Sequence, residues 1–123
     1  MEKRYSIMLI DDSSTNNILY ESILEDEGYR VFVFDDAQKA LNQLENIHPD
    51  LIMLDLMMPG MDGFDFLDQK KKITNIASVP VVMFTARTDK ESEKKAFDMG
   101  VKEYLFKPAG ITEVTQLVRK ILQ

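Results

Sequence analysis

The sequence has little of several residue types on which other classes of protein depend. Its 123 residues include no cysteine, no tryptophan and one histidine, with five glycines and four prolines. Without cysteine there is no disulfide and no thiolate metal centre, and the composition fits a reducing compartment. Apolar runs such as 7–10 and 51–54 are far shorter than the roughly 20 residues of a membrane-spanning helix. Because the first residues also lack the pattern of a signal peptide, we expect a cytoplasmic protein that does not bind membranes.

Acidic residues outnumber basic residues in the chain. There are 21 Asp and Glu against 15 Lys and Arg, which gives a formal net charge of −6 at pH 7. This excess argues against direct binding of the domain to the phosphate backbone of a nucleic acid. The hydrophobic fraction of 45% and the charged fraction of 29% are those of an ordinary globular protein. The length predicts a single domain over residues 1–123.

Five short apolar runs have the length of β-strands. Most are rich in Val, Ile, Leu or aromatic residues, and their apolar residues are continuous rather than alternating. Continuous apolarity is typical of strands that are buried on both faces, as in a parallel sheet. The five runs are residues 6–10, 30–34, 51–54, 79–84 and 102–106.

Apolar residues with helical spacing lie between and after these runs. Ala37 begins one such stripe, Val114 begins another, and Ile18, Leu19 and Ile23 form a shorter one. Five strands that alternate with helices predict an α/β domain with a parallel sheet and right-handed crossovers. Little that suggests chemistry follows the second run, so we expect that strand at an edge of the sheet.

Polar residues follow four of the predicted strands. Asp11 and Asp12 come after the first, Asp55 after the third, Thr85 at the end of the fourth and Lys107 after the fifth. The carboxyl ends of parallel strands meet at one edge of the sheet, where functional groups collect. Three carboxylates placed together repel one another unless a cation neutralises them, and an all-oxygen set suits Mg²⁺.

The same residues suit phosphoryl transfer. A metal ion, a lysine and a hydroxyl donor together can neutralise and position a phosphoryl group, and a carboxylate can act as the nucleophile. Each feature is common by itself, because acidic pairs often cap helices and Lys-Pro often forms a turn. Their joint occurrence at four strand ends favours a phosphoryl-transfer site.

Four motifs carry a more specific signal. They are Ile10-Asp11-Asp12-Ser13, Leu54-Asp55-Leu56-Met57-Met58-Pro59-Gly60-Met61-Asp62-Gly63, Thr85-Ala86 and Tyr104-Leu105-Phe106-Lys107-Pro108. In these motifs and their spacing, the chain from about residue 7 to residue 122 resembles the receiver domain of response regulators, the CheY-like family. The resemblance implies a flavodoxin-like, doubly wound fold, with five parallel strands in the order 2-1-3-4-5 and five helices on both faces.

The resemblance also implies a phosphorelay function. Asp55 would accept a phosphoryl group from the phosphohistidine of a sensor histidine kinase or a histidine phosphotransfer protein, which makes the protein an aspartyl phosphoprotein. Asp12, Asp55 and the backbone carbonyl of Met57 would bind Mg²⁺ directly, with Asp11 assisting through water. Thr85 would hydrogen-bond the phosphoryl group and Lys107 would pair with it.

Further implications concern the switch and its partners. Tyr104 matches an aromatic position whose rotamer follows the side chain of Thr85, and the Lys107-Pro108 bond would be cis. The helix that begins near Asp89 has no apolar anchor until Ala96, so it is a plausible moving part. The phosphorylated form would bind an unknown effector protein or domain, or form a homodimer. We expect an amino-terminal position in the polypeptide because Met1 lies close to the first strand.

Two alternative functions stay open at this point. One is a haloacid-dehalogenase-like phosphohydrolase, which also uses an Asp nucleophile and Mg²⁺. That class typically has a second Asp two residues after the nucleophile, where this chain has Met57. The other is an interaction module that is never phosphorylated. In the leading interpretation the protein is not an enzyme, apart from Mg²⁺-dependent self-phosphorylation and self-dephosphorylation at Asp55. The long side chains of Met57 and Arg87 predict that self-dephosphorylation is slow.

Overall fold

Five parallel strands alternate with five helices in a computed structural model that describes residues 4–123. The strands form one sheet in the order β2-β1-β3-β4-β5, which confirms the predicted α/β fold and places β2 at an edge. The elements are β1 (Ser6–Ile10), α1 (Ser14–Asp26), β2 (Arg30–Phe34), α2 (Ala37–Ile47), β3 (Leu51–Leu54), α3 (Gly63–Lys70), β4 (Val81–Thr85), α4 (Lys90–Asp98), β5 (Glu103–Phe106) and α5 (Ile111–Leu122).

The boundaries of β4 differ from the predicted run 79–84. Pro80 lacks an N–H group to donate to a neighbouring strand, so regular pairing begins at Val81. The carbonyl of Pro80 still accepts a hydrogen bond from the N–H of Ile52 at 3.0 Å. At the other end, Thr85 pairs with Phe106 and belongs to the strand. The backbone of Thr85 is therefore held by the sheet and not by a loop.

Helices cover both faces of the sheet. Successive side chains of a strand point to opposite faces, so Met8 and Ile10 pack on one side while Ile7 and Leu9 pack on the other. The first side contacts α2, α3 and α4, and the second contacts α1 and α5. All four residues of β3 are buried, which explains why its sequence is continuously apolar.

The predicted apolar stripe of α1 is wrong at two positions. Ile18 is 70% exposed and Leu19 is 50% exposed, whereas Asn17, Tyr20 and Leu24 are buried. Residues 17, 20 and 24 lie on one face of the helix because they are three and four residues apart. The hydroxyl of Tyr20 fixes that face by donating to the carbonyl of Ala109 at 3.1 Å. Ile18 and Leu19 are thereby turned towards solvent.

A buried lysine lies at the end of α3. Lys70 is buried, and its Nζ donates to the carbonyl of Ala77 at 2.8 Å. No carboxylate within residues 4–123 forms an ion pair with it. Burial therefore lowers the pKa of the Lys70 ammonium from its ordinary value of 10.5. The charged form of this side chain destabilises the folded protein at neutral pH.

We expect Lys70→Met to raise the free energy of unfolding at pH 7 by about 1 kcal/mol, because the variant removes a buried, unpaired charge. The folded-state pKa is lowered, so the wild type recovers stability as the pH rises through that pKa towards 10.5. The difference in free energy of unfolding between variant and wild type, measured by urea unfolding, should therefore decrease between pH 7 and pH 10. Lys72→Met, at an exposed position two residues away, is the control. A difference in free energy of unfolding that did not change with pH would contradict the lowered pKa of Lys70.

Candidate functional site

The predicted site residues meet at the carboxyl edge of the sheet. Hydrogen bonds between backbone groups extend the strand pairing by one residue and fix their positions. Each of these residues therefore begins from a rigid strand and not from a mobile loop. The bonds run from Asp11 N to Phe34 O at 3.0 Å, from Asp55 N to Ile10 O at 2.9 Å and from Lys107 N to Thr85 O at 2.9 Å.

Three carboxylates come together at this edge. Oxygen atoms of Asp11, Asp12 and Asp55 all lie within 4.8 Å of one another. Asp11 is 3% exposed and Asp55 is 8% exposed, while Asp12 faces solvent. The cluster is thus buried on one side and accessible from solvent on the other.

Lys107 is the cation of the cluster. Its Nζ forms a close ion pair with Asp11 and lies 3.5 Å from Oδ2 of Asp55. The ammonium also lies 5.0 Å from the centroid of the Phe84 ring, which limits its freedom to move. One lysine against three carboxylates leaves an excess of negative charge.

The buried position of Asp55 changes its acidity. Burial raises the pKa of the Asp55 carboxyl, and the negative charge of Asp11 raises it further. Lys107, the N–H of Met57 and the hydroxyl of Thr85 oppose these effects and lower the pKa. The Met57 N–H donates to Oδ1 of Asp55 at 3.2 Å. The net pKa is raised, so the protein without a bound cation holds this carboxylate at a cost.

The donor atoms fit a magnesium ion. All three side chains offer oxygen, which hard divalent cations prefer, and no histidine lies in the cluster. A bound divalent cation would relieve both the repulsion and the burial cost at Asp55. The solvent-facing carboxylate of Asp12 provides a route for the ion.

Gly63 sets the distance between α3 and Asp55. The N–H of Gly63 donates to the carbonyl of Leu56 at 2.9 Å. A Cβ atom at position 63 would lie 2.8 Å from the Cα of Leu56 and 2.9 Å from the backbone oxygen of Asp55, so only glycine allows this approach. The preceding Asp62 caps α3 by accepting from the N–H of Asp65 at 2.9 Å. The Asp-Gly pair of the motif thus begins the helix directly against Asp55.

Arg87 connects Thr85 to Tyr104 and to α4. Its N–H donates to Oγ1 of Thr85 at 3.2 Å, and its carbonyl accepts from the hydroxyl of Tyr104 at 2.8 Å. Its Nε donates to Oδ1 of Asp89 at 2.6 Å, and the other oxygen of Asp89 caps α4 by accepting from the N–H of Ser92. These hydrogen bonds lower the pKa of Asp89 to about 2. A displacement of Thr85 would therefore alter the hydrogen bonds of Tyr104 and of the residues that begin α4.

The comparison with known families decides the identity of the domain. Residues 7–119 match the sequence model of the response regulator receiver domain. The chain belongs to this family. No helix of the receiver within residues 4–123 is long and apolar enough to cross a membrane.

Curated relatives and solved structures agree with this assignment. The phosphate regulon transcriptional regulatory protein PhoB of Escherichia coli is 30% identical over 95% of this chain and 51% of PhoB. The DNA-binding response regulator MtrA of Mycobacterium tuberculosis is 32% identical over 98% of this chain and 51% of MtrA. The chain thus spans about half the length of these relatives.

The structural neighbours confirm the fold over the whole domain. The chemotaxis protein CheY4 of Vibrio cholerae superposes with a TM-score of 0.92 at 25% identity, covering 98% of this chain and 100% of CheY4. A response regulator of Desulfuromonas acetoxidans gives a TM-score of 0.87 at 27% identity, covering 96% of each chain. The predicted CheY-like fold is therefore confirmed.

The structure brings together the site residues that the sequence predicted. Asp11, Asp12, Asp55 and Lys107 form the cluster itself, and the hydroxyl of Thr85 is near enough to lower the pKa of the Asp55 carboxyl. The Lys107-Pro108 bond is cis, as the resemblance implied. Tyr104 is linked to Thr85 through hydrogen bonds to the backbone of Arg87. The individual roles of these residues in the receiver stay predictions. The close approach of Gly63 to Asp55 and the hydrogen bonds of Arg87 to Thr85 and Tyr104 were not foreseen, although the sequence had singled out Arg87 for its long side chain and Gly63 as part of the motif.

We expect Gly63→Ala to lower the free energy of unfolding by about 1–3 kcal/mol, since backbone atoms must move to admit the new methyl group. Urea unfolding measures the change. Gly110→Ala is the matched control, because a Cβ atom at position 110 meets nothing within 4 Å. Equal effects of the two substitutions would contradict the inference that position 63 has no room for a side chain.

Asp55→Asn should raise the melting temperature of the protein in chelator at pH 7, because it removes a buried charge from a repelling cluster. Because the folded-state pKa of Asp55 is raised, its charged carboxylate destabilises the wild type at pH values above that pKa. The gain in melting temperature should therefore vanish as the pH falls towards 3.8. Millimolar Mg²⁺ should stabilise the wild type and have little effect on the variant. Asp68→Asn, an exposed change on α3, should behave like the wild type. A wild type insensitive to Mg²⁺ would argue against the metal site.

Proposed function

We propose that this receiver is a phospho-accepting switch of a two-component phosphorelay and that Asp55 is its acceptor. The observation that carries the proposal is the position of the Asp55 carboxylate, which lies 3.5 Å from the ammonium of Lys107 and within 4.8 Å of two further carboxylates. Such a cluster is unfavourable without a cation, and it supplies the charges that a phosphoryl group in transfer requires.

The chemistry is nucleophilic attack by Asp55. An oxygen of its carboxylate forms a bond to phosphorus while the phosphorus–nitrogen bond of the donor phosphohistidine breaks, and the leaving imidazole nitrogen takes up a proton. Lys107 is near enough to turn from Asp55 to an oxygen of the incoming group. Thr85 lies buried beside the acceptor and donates its hydroxyl to another oxygen. Water then attacks the phosphorus, the bond between phosphorus and the Asp55 oxygen breaks, and inorganic phosphate leaves while Asp55 returns to its carboxylate form.

Asp12, Asp55 and the backbone carbonyl of Met57 would hold Mg²⁺, with Asp11 assisting through water. When bound, the ion supplies positive charge to the phosphoryl oxygens and relieves the repulsion among the carboxylates. The exposed position of Asp12 supports this assignment because the ion can enter from solvent.

The switch runs from Thr85 to the surface. Phosphorylation adds charge and acceptor oxygens at Asp55, so the Thr85 hydroxyl gains a new partner. Its movement displaces Arg87, which in turn carries the hydrogen bond to Tyr104 and the contact to Asp89. Only Ser92 and Ala96 of α4 are buried, so this helix costs little to move. The altered surface around α4 then changes partner binding.

The partners follow from this function. A sensor histidine kinase or a histidine phosphotransfer protein supplies the phosphoryl group, and an effector protein, an effector domain or a second copy reads the phosphorylated form. We propose a single receiver domain over residues 1–123 that works in the cytoplasm without binding nucleic acid itself. MtrA is named as DNA-binding, but the match covers only about half of that protein.

Intact-mass measurement with a small-molecule phosphodonor tests the acceptor. The wild type should gain one phosphoryl group only when Mg²⁺ is present, Asp55→Asn should gain none, and Asp68→Asn should be labelled like the wild type. Labelling that survives in Asp55→Asn would place the acceptor elsewhere. Sustained hydrolysis of added phosphomonoesters would favour the phosphohydrolase, and no labelling from either a small donor or a phosphohistidine protein would favour the unphosphorylated module.

The lifetime of the phosphoryl group tests the role of Met57. Met57 is 54% exposed and, with Arg87, lines an open cavity of about 400 Å³ whose lining begins at Leu56, the residue after Asp55. Both side chains can keep water from the phosphoryl group, so we expect a half-life well above seconds and a several-fold shorter one in Met57→Ala. Decay of the labelled protein, followed by mass, measures it. Leu19→Ala, an exposed apolar change on α1, should not alter the half-life. A wild-type half-life of a few seconds would contradict this prediction.

A further inference from the structure

The segment between β5 and α5 connects Lys107 to the last helix, and little in its own sequence holds it in place. Pro108 has no N–H group to donate, Ala109 has only a methyl side chain, and Gly110 has none. Gly110 precedes α5 and gives the helix no side-chain cap, whereas the other four helices each begin at a side chain that accepts from their first turn. A restraint on this segment must therefore come mainly from another part of the chain.

Tyr20 of α1 supplies such a restraint through its hydroxyl. Tyr20 is 3% exposed, and its hydroxyl donates to the carbonyl of Ala109 at 3.1 Å. The same hydroxyl accepts from the N–H of Ala109 at 3.3 Å. Ala109 is itself buried, so both of its backbone groups would be left unsatisfied if the hydroxyl were removed. One side chain of α1 thus holds the backbone two residues after Lys107.

The ring of Tyr20 acts on Lys107 from a second direction. Its centroid lies 4.6 Å from that of Phe84, and the ring planes meet at 79°, the edge-to-face arrangement that aromatic pairs prefer. Phe84 is fully buried, and the ammonium of Lys107 lies over its ring, 5.0 Å from the centroid. Tyr20 therefore helps to fix the ring to which the ammonium is attracted.

The position of the Lys107 ammonium depends on both contacts. On one side its backbone is held by the hydrogen bond from its N–H to the carbonyl of Thr85 at 2.9 Å, and on the other side by the bonds at Ala109. Its Nζ lies 3.5 Å from Oδ2 of Asp55. A displacement of about 1 Å in a group that positions reacting atoms can cost on the order of 100-fold in rate. The restraint by α1 therefore bears on the chemistry at Asp55.

We propose that Tyr20 is a positioning residue for Lys107. Its hydroxyl holds the backbone at Ala109 and its ring holds Phe84, so that the ammonium stays beside the carboxylate of Asp55. Tyr20 acts only through Lys107, and its effect on phosphoryl transfer rests on the function proposed above. The position of the ammonium in the unphosphorylated protein does not depend on that function and can be measured separately.

The first test compares Tyr20→Phe, which removes only the hydroxyl, with Tyr29→Phe as the matched control. Tyr29 is 4% exposed and belongs to the same hydrophobic core, but it lies just before β2, at the amino edge of the sheet. Labelling by acetyl phosphate in Mg²⁺ is followed by intact mass. We expect Tyr20→Phe to be labelled about three- to tenfold more slowly than the wild type, and Tyr29→Phe at the wild-type rate. Equal rates in all three proteins, or equal slowing in the two variants, would overturn the proposal.

A spectrum of the lysine side chains separates positioning from a general loss of structure. Because the Lys107 ammonium lies over the Phe84 ring, the ring current should shift the Cε methylene protons of Lys107 upfield. In ¹³C–¹H correlation spectra without phosphodonor, Tyr20→Phe should move this signal towards that of an exposed lysine, and the spectrum of Lys107→Arg assigns it. The signal of Lys70, a buried lysine on α3, should stay unchanged, as should both signals in Tyr29→Phe. An unmoved Lys107 signal, or equal movement of the Lys70 signal, would overturn the proposal.

Hydrogen exchange in the wild type tests the contact without any substitution. The amide of Ala109 donates to a buried hydroxyl, so it should exchange at least about tenfold more slowly than the amide of its exposed neighbour Gly110. Equal exchange of the two amides would overturn the proposal even if Tyr20→Phe failed to fold.

The outcomes also separate this inference from the proposed function. A wild type that is labelled, with a Lys107 signal that Tyr20→Phe does not move, would overturn the positioning role alone. A wild type that is never labelled, with a Lys107 signal that does move in Tyr20→Phe, would overturn the phosphoryl transfer and support the positioning of the ammonium.

Discussion

The contact of Lys107 with the buried carboxylates is the constraint on which the rest of the site depends. Within residues 4–123, Lys107 is the one cation in ion-pair contact with Asp11 and Asp55. Its single charge faces three carboxylates, and burial of the Asp55 carboxyl raises the pKa of that group although Lys107 lowers it. A group held this way responds strongly to any added charge, whether a divalent cation or a phosphoryl group. The excess of negative charge that destabilises the folded protein therefore also makes the site sensitive to a bound cation or a phosphoryl group.

The sheet is what makes such an imbalance tolerable. The backbone hydrogen bonds of Asp11, Asp55 and Lys107 continue the strand pairing, so these residues cannot separate without breaking hydrogen bonds at the carboxyl edge of the sheet. Gly63 adds a second restraint, because α3 begins in direct contact with the backbone of Asp55. Pairing and packing together resist the repulsion that would otherwise spread the carboxylates apart.

The sequence was sufficient to predict the fold and which side chains meet at the carboxyl edge of the sheet, and it failed where the outcome depended on contacts between distant segments. Continuous apolar runs located the strands to within about two residues, because buried parallel strands need apolar side chains on both faces. The face of α1 was misassigned, since Tyr20 is oriented by a carbonyl 89 residues away. The link from Thr85 to Tyr104 was not foreseen because it passes through a backbone carbonyl of Arg87, and backbone atoms leave no trace in the sequence.

The hydrogen bonds of Arg87 are also the basis for the proposed effect of a movement of Thr85 on Tyr104 and α4. Arg87 is bonded at three points, through its N–H to Thr85, through its carbonyl to Tyr104 and through its guanidinium to Asp89. The backbone of one residue cannot follow a displaced hydroxyl and keep both other contacts unchanged. Either Tyr104 or the cap of α4 must then find a new partner, and α4 has few buried contacts with which to resist. The connections of Arg87 and the weak anchoring of α4 support the proposed two-state switch at this surface.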